Sequence, residues 1–149
     1  TDLGFAKKGR NYARDLNASI AFVEKRRTAN DSKAKALTLI GNVKDRDVLI
    51  VDDEVLTGGS IEQAVGVVKK NGARDVYLAF IHPIFSEDGA KRLAQLPIKH
   101  MITTDTVPIS PKILKLLKGR LTVLSIAPML GEVIRRAHEG RSVGEMFNE

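Results

Sequence analysis

Residues 48–60 read VLIVDDEVLTGGS, and the chemistry of the chain is concentrated there. Gly58 and Gly59 let a backbone turn sharply and let a ligand come close, so that successive amides from Thr57 to Ser60 can converge on one anion. A helix opening at these glycines adds the partial positive charge of its N-terminus, and Ser60 adds a hydroxyl. Asp52 and Asp53 precede this turn by a short bridge. They stand too early to touch the same anion without repulsion, but carboxylates accept hydrogen bonds from hydroxyls and hold hard cations such as Mg²⁺. A sugar phosphate presents both partners, an anion at one end and vicinal hydroxyls along its ring. No Lys follows the glycines, which excludes a Walker loop, and G-x-G-x-x-G is missing, which excludes a dinucleotide fingerprint. The plainer alternative is a strand end followed by an ordinary helix cap.

The elements that must position these residues can be read on either side. Val48–Val51 is a continuous apolar run, suited to a strand buried on both faces of a parallel sheet. Ile61, Val65 and Val68 recur at helical spacing over 59–71, with Lys69 and Lys70 in the last turn and Gly72 as the stop. Residues 75–81 (DVYLAFI) form the next strand, so 48–81 makes a strand–helix–strand unit and the fold class is α/β. Residues 86–96 read as a helix, 98–103 as a strand, 108–120 as a loop with one or two helical turns, 121–126 as a strand, and a final helix starts near Pro128. Upstream, 6–16 reads as a helix, 19–23 as a short strand, 24–35 (EKRRTANDSKAK) as a mobile polar loop, and 36–41 as a strand. Open parallel sheets bind ligands outside the carboxyl ends of their strands, where VLIVDDEVLTGGS lies.

Composition limits the alternatives. The 149 residues suit one domain, and the absence of cysteine removes disulfides, thiolate metal sites and thiol catalysis together. No apolar run approaches a membrane span, and a soluble, cytoplasmic protein is expected. The net charge of +6 comes with only 5% aromatic residues that are not interleaved with the basic ones, so compact phosphorylated metabolites, not nucleic acid, are the expected anionic partners. The chain opens without Met on TDLGFAKKGR, which reads as the edge of a functional turn in a longer protein.

The acidic pair, three-residue bridge and Thr-Gly-Gly-Ser resemble the ribose-phosphate loop of the type I phosphoribosyltransferase superfamily. Together with TDLGFAKKGR, VEKRRTAN, TTDTVPI and SIAPMLGEVIRRAHEGRSVGEMF, they make the whole chain similar to the C-terminal domain of the ribose-phosphate diphosphokinases. The resemblance implies a parallel-sheet phosphoribosyltransferase-like domain with helices on both faces, part of a longer synthetase whose N-terminal domain is not in this sequence. It implies a Mg²⁺-dependent transfer of the diphosphoryl group of ATP to ribose 5-phosphate in a homo-oligomer, with the fragment alone inactive. By the same resemblance Thr57, Gly58, Gly59 and Ser60 hold the 5-phosphate, Asp52 and Asp53 the ribose hydroxyls, Asp2 the metal, and Lys25 and Arg27 belong to a catalytic flexible loop. It also puts Ser142 near an effector site at a subunit interface. Leu56 stands where many members have a third acid. A regulatory, non-catalytic synthetase-like subunit and a phosphoribosyltransferase are the alternatives.

The remaining polar residues carry weaker expectations. His82 at a strand end, His100 and His138 in the last helix read as structural. Thr103 to Thr106 read equally as pocket lining or as a turn, and Arg135, Arg136 and Arg141 as a solvated helix face.

Overall fold

In the computed structural model residues 6–27 and 35–147 are described, with side chains for 9–24 and 37–147. Four parallel strands, β3 (Val48–Glu54), β4 (Val76–His82), β5 (His100–Thr104) and β6 (Leu121–Leu124), lie side by side in chain order. Each crossover is a helix: α2 (Gly59–Lys70), α3 (Glu87–Gln95) and α4 (Pro111–Leu116). The register pairs Ile50 with Leu78 and Leu78 with Met101, which puts the alternate residues Val76, Leu78, Phe80, Met101 and Thr103 on one face. That face is sealed by Ile61, Ala64, Val65 and Val68 of α2, Ala90 and Leu93 of α3, and Ile113 of α4, all buried. The fold is the expected α/β class, a parallel sheet with helices around it. The three crossovers share one face, and on the other Leu49, Ile81, Ile102 and Leu124 are at least a third exposed.

Apart from the main sheet, β1 (Phe22–Arg27) and β2 (Lys35–Ile40) pair as an antiparallel ribbon, following α1 (Ala6–Asp15). This changes the reading of 19–27. The strand starts three residues later than expected, and Glu24, Lys25, Arg26 and Arg27 belong to its ladder opposite Thr38, Leu37, Ala36 and Lys35. The charged run looked like a loop because it lacks apolar periodicity, but β2 supplies the backbone pairing that periodicity would otherwise signal. Residues 28–34 of the expected loop lie outside the described residues.

Local devices set the ends of elements. Ser86 and Ser110 cap α3 and α4 by accepting from the amides of Gly89 (3.0 Å) and Ile113 (3.4 Å). The guanidinium of Arg120 donates to the carbonyls of Ala94, Leu96 and Ile98 at 2.6–2.9 Å, collecting the orphan acceptors at the end of α3. The last helix, α5 (Ala127–His138), buries none of its residues, and Ile134 is 69% exposed.

Candidate functional site

The apolar strand β3 runs on past Val51, so Asp52 and Asp53 are strand residues at its carboxyl end. Each turns one carboxylate oxygen back on the following amide: Asp53 N–H donates to Asp52 Oδ1 and Glu54 N–H to Asp53 Oδ1, both at 3.0 Å. Burial pushes the Asp52 carboxyl above the ordinary carboxylate range, and the neighbouring Asp53 side chain adds to the rise, against the opposing hydrogen bond from the Asp53 amide. The shift disfavours the bare carboxylate, and a hydroxyl donor or a cation beside it would offset that cost.

The chain then leaves the sheet through Val55, which is 2% exposed and whose amide donates to the carbonyl of His82 at 3.1 Å. Gly58 takes the left-handed conformation (φ 70°, ψ 2°) and is the residue before α2, with no side chain capping the helix. The first helical bond is Glu62 N–H to Gly58 O at 2.9 Å. Among the described residues no hydrogen bond reaches the amides of Thr57, Gly58, Gly59 or Ser60. Those four donors therefore have no protein partner at the positive end of a 12-residue helix, with Thr57 and Ser60 exposed, Gly59 half-buried and Gly58 buried. The structure thus brings together Asp52, Asp53, Thr57, Gly58, Gly59 and Ser60 on one strand end and the loop that follows it.

A second element holds this loop, and sequence reasoning missed it. Ser86 donates to the carbonyl of Leu56 both from its amide (2.9 Å) and from its hydroxyl (3.2 Å), while the same hydroxyl accepts from Gly89 N–H. A Cβ built on Gly89 would collide with the Leu56 carbonyl oxygen and would lie 3.1 Å from the carbonyl carbon of Thr57. The only signal in the sequence is the Ser-x-x-Gly at the start of α3, which reads as an ordinary cap. The Leu56 side chain itself is 50% exposed.

Of the other expected residues, Asp2 lies outside the described residues. Lys25 and Arg27 are placed by backbone only, at alternate positions of β1. His82 at the end of β4 meets Thr106 through Nδ1 (3.0 Å), and Thr103, Thr104 and Thr106 all turn their hydroxyls onto the carbonyl of Ile81. Asp105 accepts from the amide of Ile126 at 2.8 Å and lies below its ordinary carboxylate range, held down by Ser125 first and that amide second. This segment is thus knitted to its neighbours as a structural turn. His100 bonds Thr122 at 2.8 Å. Arg135, Arg136 and Arg141 are not a merely solvated face: they pair with Glu132, Glu139 and Glu145, and Arg136 ties α5 to the carbonyl of Ser142.

No three His, Asp or Glu side chains gather as a metal cage among the described residues. Mg²⁺ commonly takes one or two carboxylates and fills its shell with water and substrate oxygens, a mode that needs no such cage. A cavity of about 220 Å³, lined by Tyr12, Leu16, Phe22, Leu39, Val43 and Val68 among others, opens between α1, the ribbon and β3 and contains none of the candidate residues. No helix among the described residues is long and apolar enough to cross a membrane.

Residues 7–148 match the phosphoribosyl synthetase-associated domain. The chain is 34% identical over 146 residues to a ribose-phosphate pyrophosphokinase of Deinococcus radiodurans, covering 98% of this chain and 45% of that one. It is 38% identical over 147 residues to the pyrophosphokinase of a Nostoc species, covering 98% and 43%. Among solved structures it resembles phosphoribosylpyrophosphate synthetase from Mycobacterium smegmatis, with a TM-score of 0.82 and 33% identity over 93% of this chain and 43% of that one. The chain spans less than half the length of these relatives.

Proposed function

The chain belongs to the phosphoribosyl synthetase-associated domain family, and from that premise we propose that it is the ribose-5-phosphate-binding half of a Mg²⁺-dependent ribose-phosphate diphosphokinase. The observation that carries this reading is the set of four amides without a protein partner, Thr57 to Ser60, one short loop beyond the paired carboxylates Asp52 and Asp53. A 5-phosphate sits in the amide cradle, and the ribose 2- and 3-hydroxyls donate to the carboxylates. The names of the relatives, ribose-phosphate pyrophosphokinases, support ribose phosphate as acceptor of a diphosphoryl group, and the donor in this reading is ATP.

The sugar is gripped at both ends, which leaves its 1-hydroxyl as the free nucleophile. Its oxygen attacks the β-phosphorus of ATP, the bond from that phosphorus to the oxygen bridging the α-phosphate breaks, and AMP departs as the hydroxyl proton is lost. Phosphoryl transfer asks chiefly for positioning and for positive charge around the transferring group. Lys25 and Arg27 supply that charge. Mg²⁺, held by Asp2 and substrate oxygens, supplies further charge neutralisation when bound. Asp52 and Asp53 each commit one oxygen to a backbone amide, so a hydroxyl or a hard cation meets the other.

The rest of the protein, and a second copy in a homo-oligomer, complete the nucleotide side. The exposed apolar residues Met129, Leu130 and Ile134 of α5 support such further packing. The protein carrying this chain is expected to form AMP from ATP only when ribose 5-phosphate and Mg²⁺ are both present. Lys25→Ala is expected to lower turnover at least a hundredfold with little change in ribose 5-phosphate affinity. A Lys25→Ala enzyme with normal turnover removes the catalytic assignment, and release of pyrophosphate with a nucleobase in place of AMP formation points instead to a phosphoribosyltransferase.

A further inference from the structure

Arg92 lies on α3, and its guanidinium reaches the first turn of the neighbouring α2. A Cβ built on Gly59 would stand 3.1 Å from Arg92 Nη1 and 3.8 Å from Thr57 Oγ1, so the guanidinium and the hydroxyl flank one point of the loop and are less than about 7 Å apart. A single phosphate group with a charge-assisted bond of about 2.8 Å at each end bridges such a gap. Among the described residues the acid paired with Arg92 is Glu62, at 3.5 Å from Nε, beyond good hydrogen-bond range, with the two side chains 43% and 52% exposed. Other arginines of this chain are far better matched: Arg74 grips Asp47 through two bonds of 2.7 and 2.8 Å, and Arg135 grips Glu132 at 2.8 and 2.9 Å. The Arg92 fork is thus only loosely neutralised beside four unpaired amides that await an anion.

We propose that Arg92 is a further phosphate-binding residue, which exchanges its loose contact with Glu62 for the 5-phosphate and so makes the site select phosphorylated over free sugars. The inference rests on the ribose-phosphate reading of the same loop. It also bears on Gly59: a Cβ there would crowd the guanidinium tip at 3.1 Å and press it a few tenths of an ångström aside.

The test titrates ribose 5-phosphate calorimetrically, and free ribose by NMR, into the protein carrying this chain and its Arg92→Gln and Glu62→Gln variants. Arg92→Gln is expected to lose about tenfold or more in affinity for ribose 5-phosphate and to leave the response to free ribose unchanged. Glu62→Gln is expected to bind ribose 5-phosphate severalfold more tightly. Unchanged ribose 5-phosphate affinity in Arg92→Gln overturns the proposal, as does an equal loss for both sugars, which marks a merely structural arginine. Should Arg92→Gln fail to fold, Glu62→Gln decides alone: tighter binding supports the proposal, and unchanged or weaker binding overturns it. A wild type that does not take ribose 5-phosphate at all overturns the sugar-phosphate reading and this inference with it; a wild type that binds while Arg92→Gln binds equally well overturns this inference only.

Discussion

Asp52 sits under opposing demands. It is half-buried at the end of its strand, while its proposed work is to accept hydrogen bonds from hydroxyls as a carboxylate, and its folded-state pKa is raised, first by that burial and then by the Asp53 side chain. A carboxyl whose pKa is higher folded than unfolded binds protons more tightly in the native state, so its contribution to stability declines as pH rises from the ordinary carboxylate value through the raised one. Asp52→Asn removes that decline and keeps an acceptor for the Asp53 amide. The variant is expected to melt higher than the wild type at neutral pH, with the difference shrinking below the ordinary carboxylate pKa, and to bind ribose 5-phosphate about tenfold more weakly. Melting curves across pH, paired with a binding isotherm at pH 7, measure both effects. A variant that melts lower at pH 7 contradicts the assignment of the shift to burial.

At the scale of elements, the site depends on α3 as much as on β3 and α2. Ser86 and Gly89 clamp the Leu56 carbonyl, and the collision a Cβ at Gly89 would make falls on backbone, which has little freedom to yield. Gly89→Ala is therefore expected to cost about 2 kcal/mol or more of stability and to weaken ribose 5-phosphate binding further than Ser86→Ala does. Chemical denaturation and calorimetry on both variants check this ordering. The clamp shows why the site was only partly legible in the sequence. The cradle and the carboxylates are local, adjacent to an apolar run and a helix start, and pattern alone exposes them. The grip of Ser86 on Leu56 spans 30 residues and exists only once α3 lies beside the loop. The β1–β2 ribbon was hidden for a related reason: FVEKRR has no alternating face of its own and becomes a strand by pairing with KALTLI.

At the scale of the whole molecule, the fold divides its labour by face and by end. One face of the sheet is sealed by three helices, and the proposed binding loop follows the carboxyl end of β3, beside the end of β4. The opposite face and α5 keep large apolar side chains in solvent, as expected of a unit that spans less than half of its relatives' length. The central claim is that Thr57–Ser60 hold a sugar 5-phosphate while Asp52 and Asp53 hold the sugar. Backbone amide NMR of the protein carrying this chain, titrated separately with ribose 5-phosphate and free ribose, tests it most directly. The account predicts that the amides of Thr57, Gly58, Gly59 and Ser60 shift most with ribose 5-phosphate and hardly with ribose, whereas those of Asp53 and Glu54 respond to both. Saturable binding of ribose 5-phosphate that leaves the four cradle amides unmoved would contradict it.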